Sequence, residues 1–434
     1  MRTTETQTWV DPKLHRVAWL SKQDSKKEFS CLMHYFNEES LSKCFQIIEG
    51  NKAIGLDGIN KESYGKDLAA NLKRLVDRMK TMSYRPGNIK QVMIPKEGKN
   101  NAYRPLGISN FEDKLVQKMM QQVLESIYEP IFLDCSYGFR PGKGCHDAIR
   151  ELRNHLYKRP ISTVIDVDLA NFFNSINHKE LESILRIKIK DNCLMRYIIR
   201  MLKAGILTKG ELIVGDEGAI QGSICSPIIA NIFAHYVIDQ WFEEVVKNHC
   251  RGEVKLVRYC DDLIIACEYE QDAMRIREAL DKRLNKFQLK LNKEKTRIVK
   301  FDRNSSNKAS FDFLGFTFYW GKSKDWYTVP KVKTIGKRMR AKLKRVTAWI
   351  KEIRNKCKLK EIWAMLALKL KGHIQYYAVS FNIRAVNTFI NQAIRIVFKW
   401  LNRRSQKKSF NWEKFKLFIK ANPLPKVRIC HKLF

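Results

Sequence analysis

Two pairs of aspartates carry the chemistry that this sequence announces first. Asp166 and Asp168 stand two apart in the β-branched run Thr163-Val-Ile-Asp-Val-Asp168, so a strand there points both carboxylates to one face. Asp261 and Asp262 lie between the apolar runs 254–259 and 263–266, the outline of a hairpin with acidic residues at its tip. Carboxylates gathered together repel one another, and a compact set is stable only with a cation among them. An oxygen-only donor set suits Mg²⁺ or Mn²⁺ rather than zinc. Two such ions hold the attacking and leaving oxygens of an in-line phosphoryl transfer. An Asp-Asp pair alone is ordinary turn chemistry. Two pairs on elements able to converge point to a nucleotidyl transferase.

Such carboxylates need strands that pair and helices that support them. The central third alternates strand-like and helical segments, with a polar helix expected after Asp168. Upstream, residues 26–50 and 66–82 show helical spacing, carried in the second by Leu68, Leu72, Leu75, Val76 and Met79, with a turn over 51–58 between them. From 84 to 108 short apolar pieces are punctuated by Pro86, Pro95, Gly98, Pro105 and Gly107. Leu115, Met119, Val123 and Ile127 then repeat every four residues and predict a helix over 110–130. After about residue 320 the chain reads as helical, with Met339, Leu343, Val346, Ile350 and Ile353 on one face.

The 434 residues exceed one compact core and divide into several lobes. Lys and Arg total 81 against 45 Asp and Glu, a net charge of +36, and a field of that size binds polyanions, phosphate backbones above all. The excess concentrates late: residues 331–360 hold 13 Lys/Arg against Glu352, and 401–434 hold ten against Glu413, with Trp412 and Phe415 interleaved. Charge alone would equally suit a ribosome-associated basic protein. The 11 cysteines include no Cys-x-x-Cys pair, which argues against a zinc ribbon or a disulfide framework; Cys135, Cys193, Cys225 and Cys267 read as buried thiols. No N-terminal apolar h-region and no run near ~18 apolar residues is present, so an intracellular protein is expected, with no membrane partner.

The order of motifs resembles the reverse transcriptases encoded by bacterial group II introns, over roughly residues 45–425. Asn51-Lys-Ala-Ile-Gly-Leu-Asp-Gly58 is similar to their extra N-terminal block, and Ile94-Pro-Lys-Glu-Gly98 with Tyr103-Arg-Pro-Leu-Gly-Ile108 to their finger blocks. Tyr137-Gly-Phe-Arg-Pro-Gly142, Val167-Asp-Leu-Ala-Asn-Phe-Phe173, Gln221-Gly-Ser-Ile-Cys-Ser-Pro227, Arg258-Tyr-Cys-Asp-Asp262, Leu291-Asn-Lys-Glu-Lys-Thr296 and Phe313-Leu-Gly-Phe316 follow in order. The resemblance implies an α+β right-hand polymerase: fingers and palm, a mixed sheet with helices, then an all-helical thumb. It implies a division into an N-terminal extension and start of the fingers (1–82), fingers and palm (83–300), end of palm and helical thumb (301–400) and a basic tail (401–434).

By position, the resemblance makes Asp168, five residues before the sugar-contacting Phe173, the first metal ligand, with Asp261 and Asp262 completing the set for two Mg²⁺ ions, Mn²⁺ substituting. Asp166 becomes a supporting residue. Phe173 blocks a ribonucleotide 2′-OH. Lys96 and Arg104 grip the triphosphate, a point charge beside a planar fork. Gln221 contacts the nucleotide, Gly222 lets backbone approach it, and Lys295 is a candidate general acid for the pyrophosphate. Arg140, Arg403, Arg404, Lys407 and Lys408 are expected on nucleic acid, the last four following the thumb-like Gly372-His-Ile-Gln-Tyr-Tyr377 and Asn382.

Three positions depart from the family's pattern: Cys260 replaces its usual Ala, Asn174 an acidic residue, and Ser223 a second Gly. None removes a metal ligand. The implied function is RNA-directed DNA synthesis from deoxynucleoside triphosphates on a primed RNA template, in the bacterial cytoplasm, with binding of the parent intron RNA to assist splicing and mobility. The alternatives are a host-recruited enzyme of the same lineage in repair or phage defence, or a splicing factor with little polymerase activity. The family's Cys- and His-rich endonuclease does not follow residue 434, so target-strand nicking is not expected.

Overall fold

A computed structural model describes residues 12–95, 103–208, 211–213, 218, 222–305, 309–404 and 411–433. Four helices open the chain: α1 (Pro12–Gln23), α2 (Glu38–Ile47), α3 (Lys61–Gly65) and α4 (Leu68–Lys80). The helix expected over 26–50 is confined to α2. Asn37 caps it, its side chain accepting the Ser40 N–H at 3.0 Å, and Cys31 at φ 56° already breaks the preceding chain. The apolar stripe of α4 is buried as its spacing requires.

The Pro- and Gly-punctuated stretch folds as the antiparallel pair β1 (Ile89–Pro95) and β2 (Tyr103–Ile108). Then comes α5 (Phe111–Tyr128), whose Leu115, Met119, Val123 and Ile127 are wholly inaccessible. Next are α6 (Cys145–Lys158), β3 (Thr163–Asp168), α7 (His178–Leu185), α8 (Asn192–Leu202), β4 (Ile206–Thr208) and β5 (Glu211–Ile213). The polar helix expected after Asp168 is α7, which the chain reaches through a left-handed step at Asn171 (φ 49°) and a short 3₁₀ turn. A long rod follows: α9 (Ser226–Ala234) runs through two π-helical turns into α10 (Lys247–His249). The remainder is β6 (Val254–Tyr259), β7 (Asp262–Cys267), α11 (Glu270–Lys286), β8 (Arg297–Lys300), β9 (Ser310–Phe313), β10 (Phe316–Lys322), β11 (Thr328–Thr334) and helices α12 (Gly336–Ile353), α13 (Leu359–Tyr377), α14 (Ile383–Leu401) and α15 (Trp412–Ala421). Helix thus begins at Gly336, not near 320, because Thr328-Val-Pro-Lys-Val-Lys-Thr334 alternates buried and accessible residues as a strand.

The strands form three sheets ordered β2-β1-β4-β5, β6-β7-β3-β8 and β11-β10-β9. The second is the keel. Ile165, Val167, Leu256, Leu263 and Ile265 enter one core with α5, α8 and α9, while Val164, Val257, Ile264 and Ala266 enter another with α6, the third sheet and the C-terminal helices. Burial on both faces rigidifies the strands that end in the aspartates. Of the four thiols expected inside, Cys135, Cys225 and Cys267 are buried, but Cys193 is exposed. It lies in the first turn of α8, beside the Asp191 cap and off the Leu194, Tyr197 and Ile198 stripe. Among the described residues no helix is long and apolar enough to cross a membrane.

Candidate active site

Strands β3 and β7 pair antiparallel with Asp168 opposite Asp262, and β6 pairs with β7 so that Tyr259 also lies opposite Asp262. Cys260 and Asp261 are therefore the two residues of the turn. Directly opposed residues share a face, so Asp168 and Asp262 sit side by side at one end of the sheet, with Asp166 two residues down β3 and Asp261 at the tip. The two apolar runs at 254–259 and 263–266 thus pair beside the β-branched run, as the hairpin outline in the sequence expects.

The electrostatics record that closeness. Desolvation, then the charges of Asp262 and Asp312, push Asp166 up to about 6. Desolvation against the hairpin, then Asp261, lifts Asp262 to about 6, with Arg338 acting against the rise. Asp261 is likewise raised, first by burial and then by Asp168. Lys295 answers the charge on Asp168: its Nζ lies 3.2 Å from both carboxylate oxygens. A turn plants it there. The Asn292 N–H donates to the Asp168 carbonyl at 2.9 Å, and the Asp168 N–H donates to Thr296 Oγ1 at 3.3 Å. Among the described residues no three Asp, Glu, His or Cys side chains already close as a metal cage. Mg²⁺ keeps several waters and takes one or two carboxylates plus substrate phosphates. Asp168, Asp261 and Asp262 therefore fit its donor chemistry, and a divalent cation would offset the burial and, after it, the mutual repulsion that raise Asp261 and Asp262.

Comparison with known proteins decides the family. Residues 94–318, half of the chain, match the model for reverse transcriptase (RNA-dependent DNA polymerase). The chain belongs to the reverse transcriptase family. The group II intron-encoded protein LtrA of Lactococcus lactis is 31% identical over 223 residues, 51% of this reverse transcriptase and 37% of that protein. Protein YkfC of Escherichia coli is 32% identical over 52% of this chain and 61% of its own, and a putative COX1/OXI3 intron 1 protein of Saccharomyces cerevisiae is 27% identical over 72% and 41%. The reverse transcriptase covers less than two thirds of these relatives' length. The motif order is that of the reverse transcriptases encoded by group II introns, and among these relatives LtrA is described as group II intron-encoded and the yeast protein as an intron protein.

Other candidate residues fall into place unevenly. Phe172 is buried at 2% exposure while Phe173, edge-to-face against it at 5.7 Å, remains partly accessible, so the second ring is the one turned outward. Arg104 is exposed on β2 opposite Ile94. Lys96, Gln221, Lys407 and Lys408 lie outside the described residues. Gly222, at φ 113°, packs on β2: an added Cβ would lie 2.2 Å from the Gly107 carbonyl oxygen, so the close approach it allows is to the protein's own backbone. Arg140 is a correction. It is buried, with Nε on Glu129 at 2.9 Å and Nη1 on the Leu133 and Ser136 carbonyls at 2.7 and 2.8 Å, so its guanidinium braces the 129–140 segment rather than meeting nucleic acid. Arg403 is exposed and stacks on Trp400 at 5.0 Å, whereas Arg404 donates to the Cys357 carbonyl at 2.8 Å and joins α14 to the α12–α13 loop.

Sequence reasoning missed Arg338. It stands on the first turn of α12, and its charge reaches Asp262. The signal was Gly315 in Phe313-Leu-Gly-Phe316. That glycine is at φ 88°, and a Cβ on it would lie 3.1 Å from Arg338 Nη1 and 3.1 Å from the Tyr377 hydroxyl.

Proposed function

We propose that this reverse transcriptase is an RNA-directed DNA polymerase of group II intron type, using Asp168, Asp261 and Asp262 to hold two Mg²⁺ ions. The observation that carries the reading is the pairing of Asp168 opposite Asp262 beside the Asp261 turn, with Lys295 on Asp168. In this reading the β6-β7-β3-β8 sheet is the palm, the β1–β2 hairpin belongs to the fingers, and α12–α14 form the thumb. Bound Mg²⁺ supplies charge stabilisation for the in-line attack of a primer 3′-hydroxyl on the α-phosphate and for the departing pyrophosphate. The carboxylates orient that charge. Arg104 and Lys96 neutralise the triphosphate, Phe173 limits room at the sugar 2′ position, and Gln221 borders the nucleotide. Lys295, whose Nζ pairs with Asp168 at 3.2 Å, would be the residue that gives a proton to the departing pyrophosphate.

The basic face of α12, the exposed Arg403 and the α15 region are read as the surface for a larger RNA, the intron in which relatives of this kind are encoded. The test is primer extension. The protein should incorporate deoxynucleotides on a primed RNA template in Mg²⁺; absence of incorporation in both Mg²⁺ and Mn²⁺ would favour a splicing factor without polymerase activity.

A further inference from the structure

Directly beneath the aspartate turn lies a guanidinium with no access to solvent. Arg258 and its partner Asp239 are both fully buried. All five N–H donors of Arg258 have acceptors. Nε and one Nη2 hydrogen meet the two Asp239 oxygens at 2.7 and 2.6 Å, and the other Nη2 hydrogen meets Ser136 Oγ at 2.8 Å. Nη1 donates to Asn231 Oδ1 at 3.0 Å and to the carbonyl of Cys260 at 3.2 Å.

That last contact matters for function. Cys260 is the first residue of the turn and sits at φ 58°, where a side chain is disfavoured and something must over-determine the backbone. Asp261 is the next residue and Asp262 the one after. The turn is also closed from above: Gly138 lies so near that an added Cβ would fall 2.2 Å from Cys260 Sγ and 2.6 Å from its N, and Asn231 holds the Gly138 carbonyl at 2.7 Å. Asn231 and Asp239 both belong to the rod that begins with α9, just after the Gln221–Pro227 motif, and Asp239 is presented by one of its π-helical turns, a feature found often at functional sites. One guanidinium therefore joins three motif blocks, those around Gly138, Gln221 and Asp261.

A buried ion pair is weak as a source of stability, since an apolar pair of similar volume often serves as well. We infer that Arg258 is a positioning residue: its hydrogen bond to the Cys260 carbonyl sets the turn so that Asp261 and Asp262 face Asp168 at a spacing that accepts divalent cations. It touches no substrate. The inference rests on the metal-holding reading of the three aspartates.

The experiment measures Mn²⁺ binding to the full-length protein on an RNA–DNA template-primer by electron paramagnetic resonance, beside single-turnover extension and thermal unfolding. Arg258→Lys should weaken Mn²⁺ binding by about 10-fold or more, as loss of a supporting contact around metal ligands does. Extension should fall in step at low Mg²⁺ and recover at high Mg²⁺, with template-primer affinity unchanged. Should Arg258→Lys not fold, the charge-free double variant Arg258→Met with Asp239→Leu decides, because it removes both buried charges together; it too should lose Mn²⁺ affinity. Ser136→Ala drops a hydrogen bond on the far side of the guanidinium and should lower the melting temperature while leaving Mn²⁺ affinity intact. Wild-type Mn²⁺ binding in the Arg258 variants, with binding lost in Asp261→Asn, would overturn the inference. Unchanged binding in Asp261→Asn itself would instead overturn the metal reading beneath it.

Discussion

At the scale of single residues, the aspartates are defined by what they do to one another. Asp262 is pushed up to about 6 from an ordinary 3.8, so its proton is held more tightly in the folded state than in the unfolded. Stability from this source is therefore lost as pH rises through about 6 and regained as pH falls below it. Without metal, Asp262→Asn should melt higher than wild type at pH 7, and the gap should close as pH falls toward 4; saturating Mg²⁺ should close it at pH 7 as well. A gap independent of pH would contradict the assigned environment. Phe173 gives a second prediction. Phe173→Val should admit ribonucleotides in a misincorporation assay by opening space for the 2′-OH, while Phe172→Val, altering a buried ring, should lower stability without changing sugar choice. The reverse pattern would show that the outward ring had been misassigned. Which Phe faces outward was legible only by matching the motif to the family. The Lys295–Asp168 ion pair was not legible at all, since the two lie far apart in sequence and meet only through the Asn292–Thr296 turn. Arg140 was misread because a motif arginine in a basic chain looks like a phosphate ligand until its acceptors are seen.

Among elements, short β-branched and apolar runs made the central strands readable almost to the residue: β3 and β6 match the runs at 163–168 and 254–259. Breaks set by local capping were harder. Asn37 truncates one helix, and Thr328–Thr334 forms a strand just ahead of the Met339–Ile353 apolar spacing, in a stretch read as helical from about residue 320. The basic tail has a structural as well as an electrostatic side. Phe415 on α15 is fully enclosed, 5.7 Å from the Trp363 ring and 5.0 Å from that of Phe398, whereas Trp412 remains 38% exposed. Phe415→Ala should cost about 3–5 kcal/mol, read as a drop in the melting temperature, and Trp412→Ala distinctly less. Equal losses would mean that α15 packs otherwise than described.

Over the whole molecule, a net charge of +36 makes nucleic-acid affinity a matter of salt. Log–log plots of RNA binding should fall with a slope of roughly 0.7 to 0.9 per phosphate neutralised. Reversing Arg403, Lys407 and Lys408 to Glu should flatten that slope for a long structured RNA more than for a short primed duplex; Arg404 is left out because it ties α14 to Cys357. An unchanged slope would mark the tail as a solvated face. Composition announced the polyanion, and the ordered motifs announced the family. Neither showed that the keel sheet is buried on both sides, which gives the aspartates a rigid base. The most direct measurement compares wild type with Asp261→Ala in single-turnover extension of a primed RNA template, alongside filter binding of the same duplex. Our account predicts a rate lowered by about 10³-fold or more, several kcal/mol of transition-state stabilisation, with duplex affinity unchanged. Extension by Asp261→Ala close to the wild-type rate would contradict it.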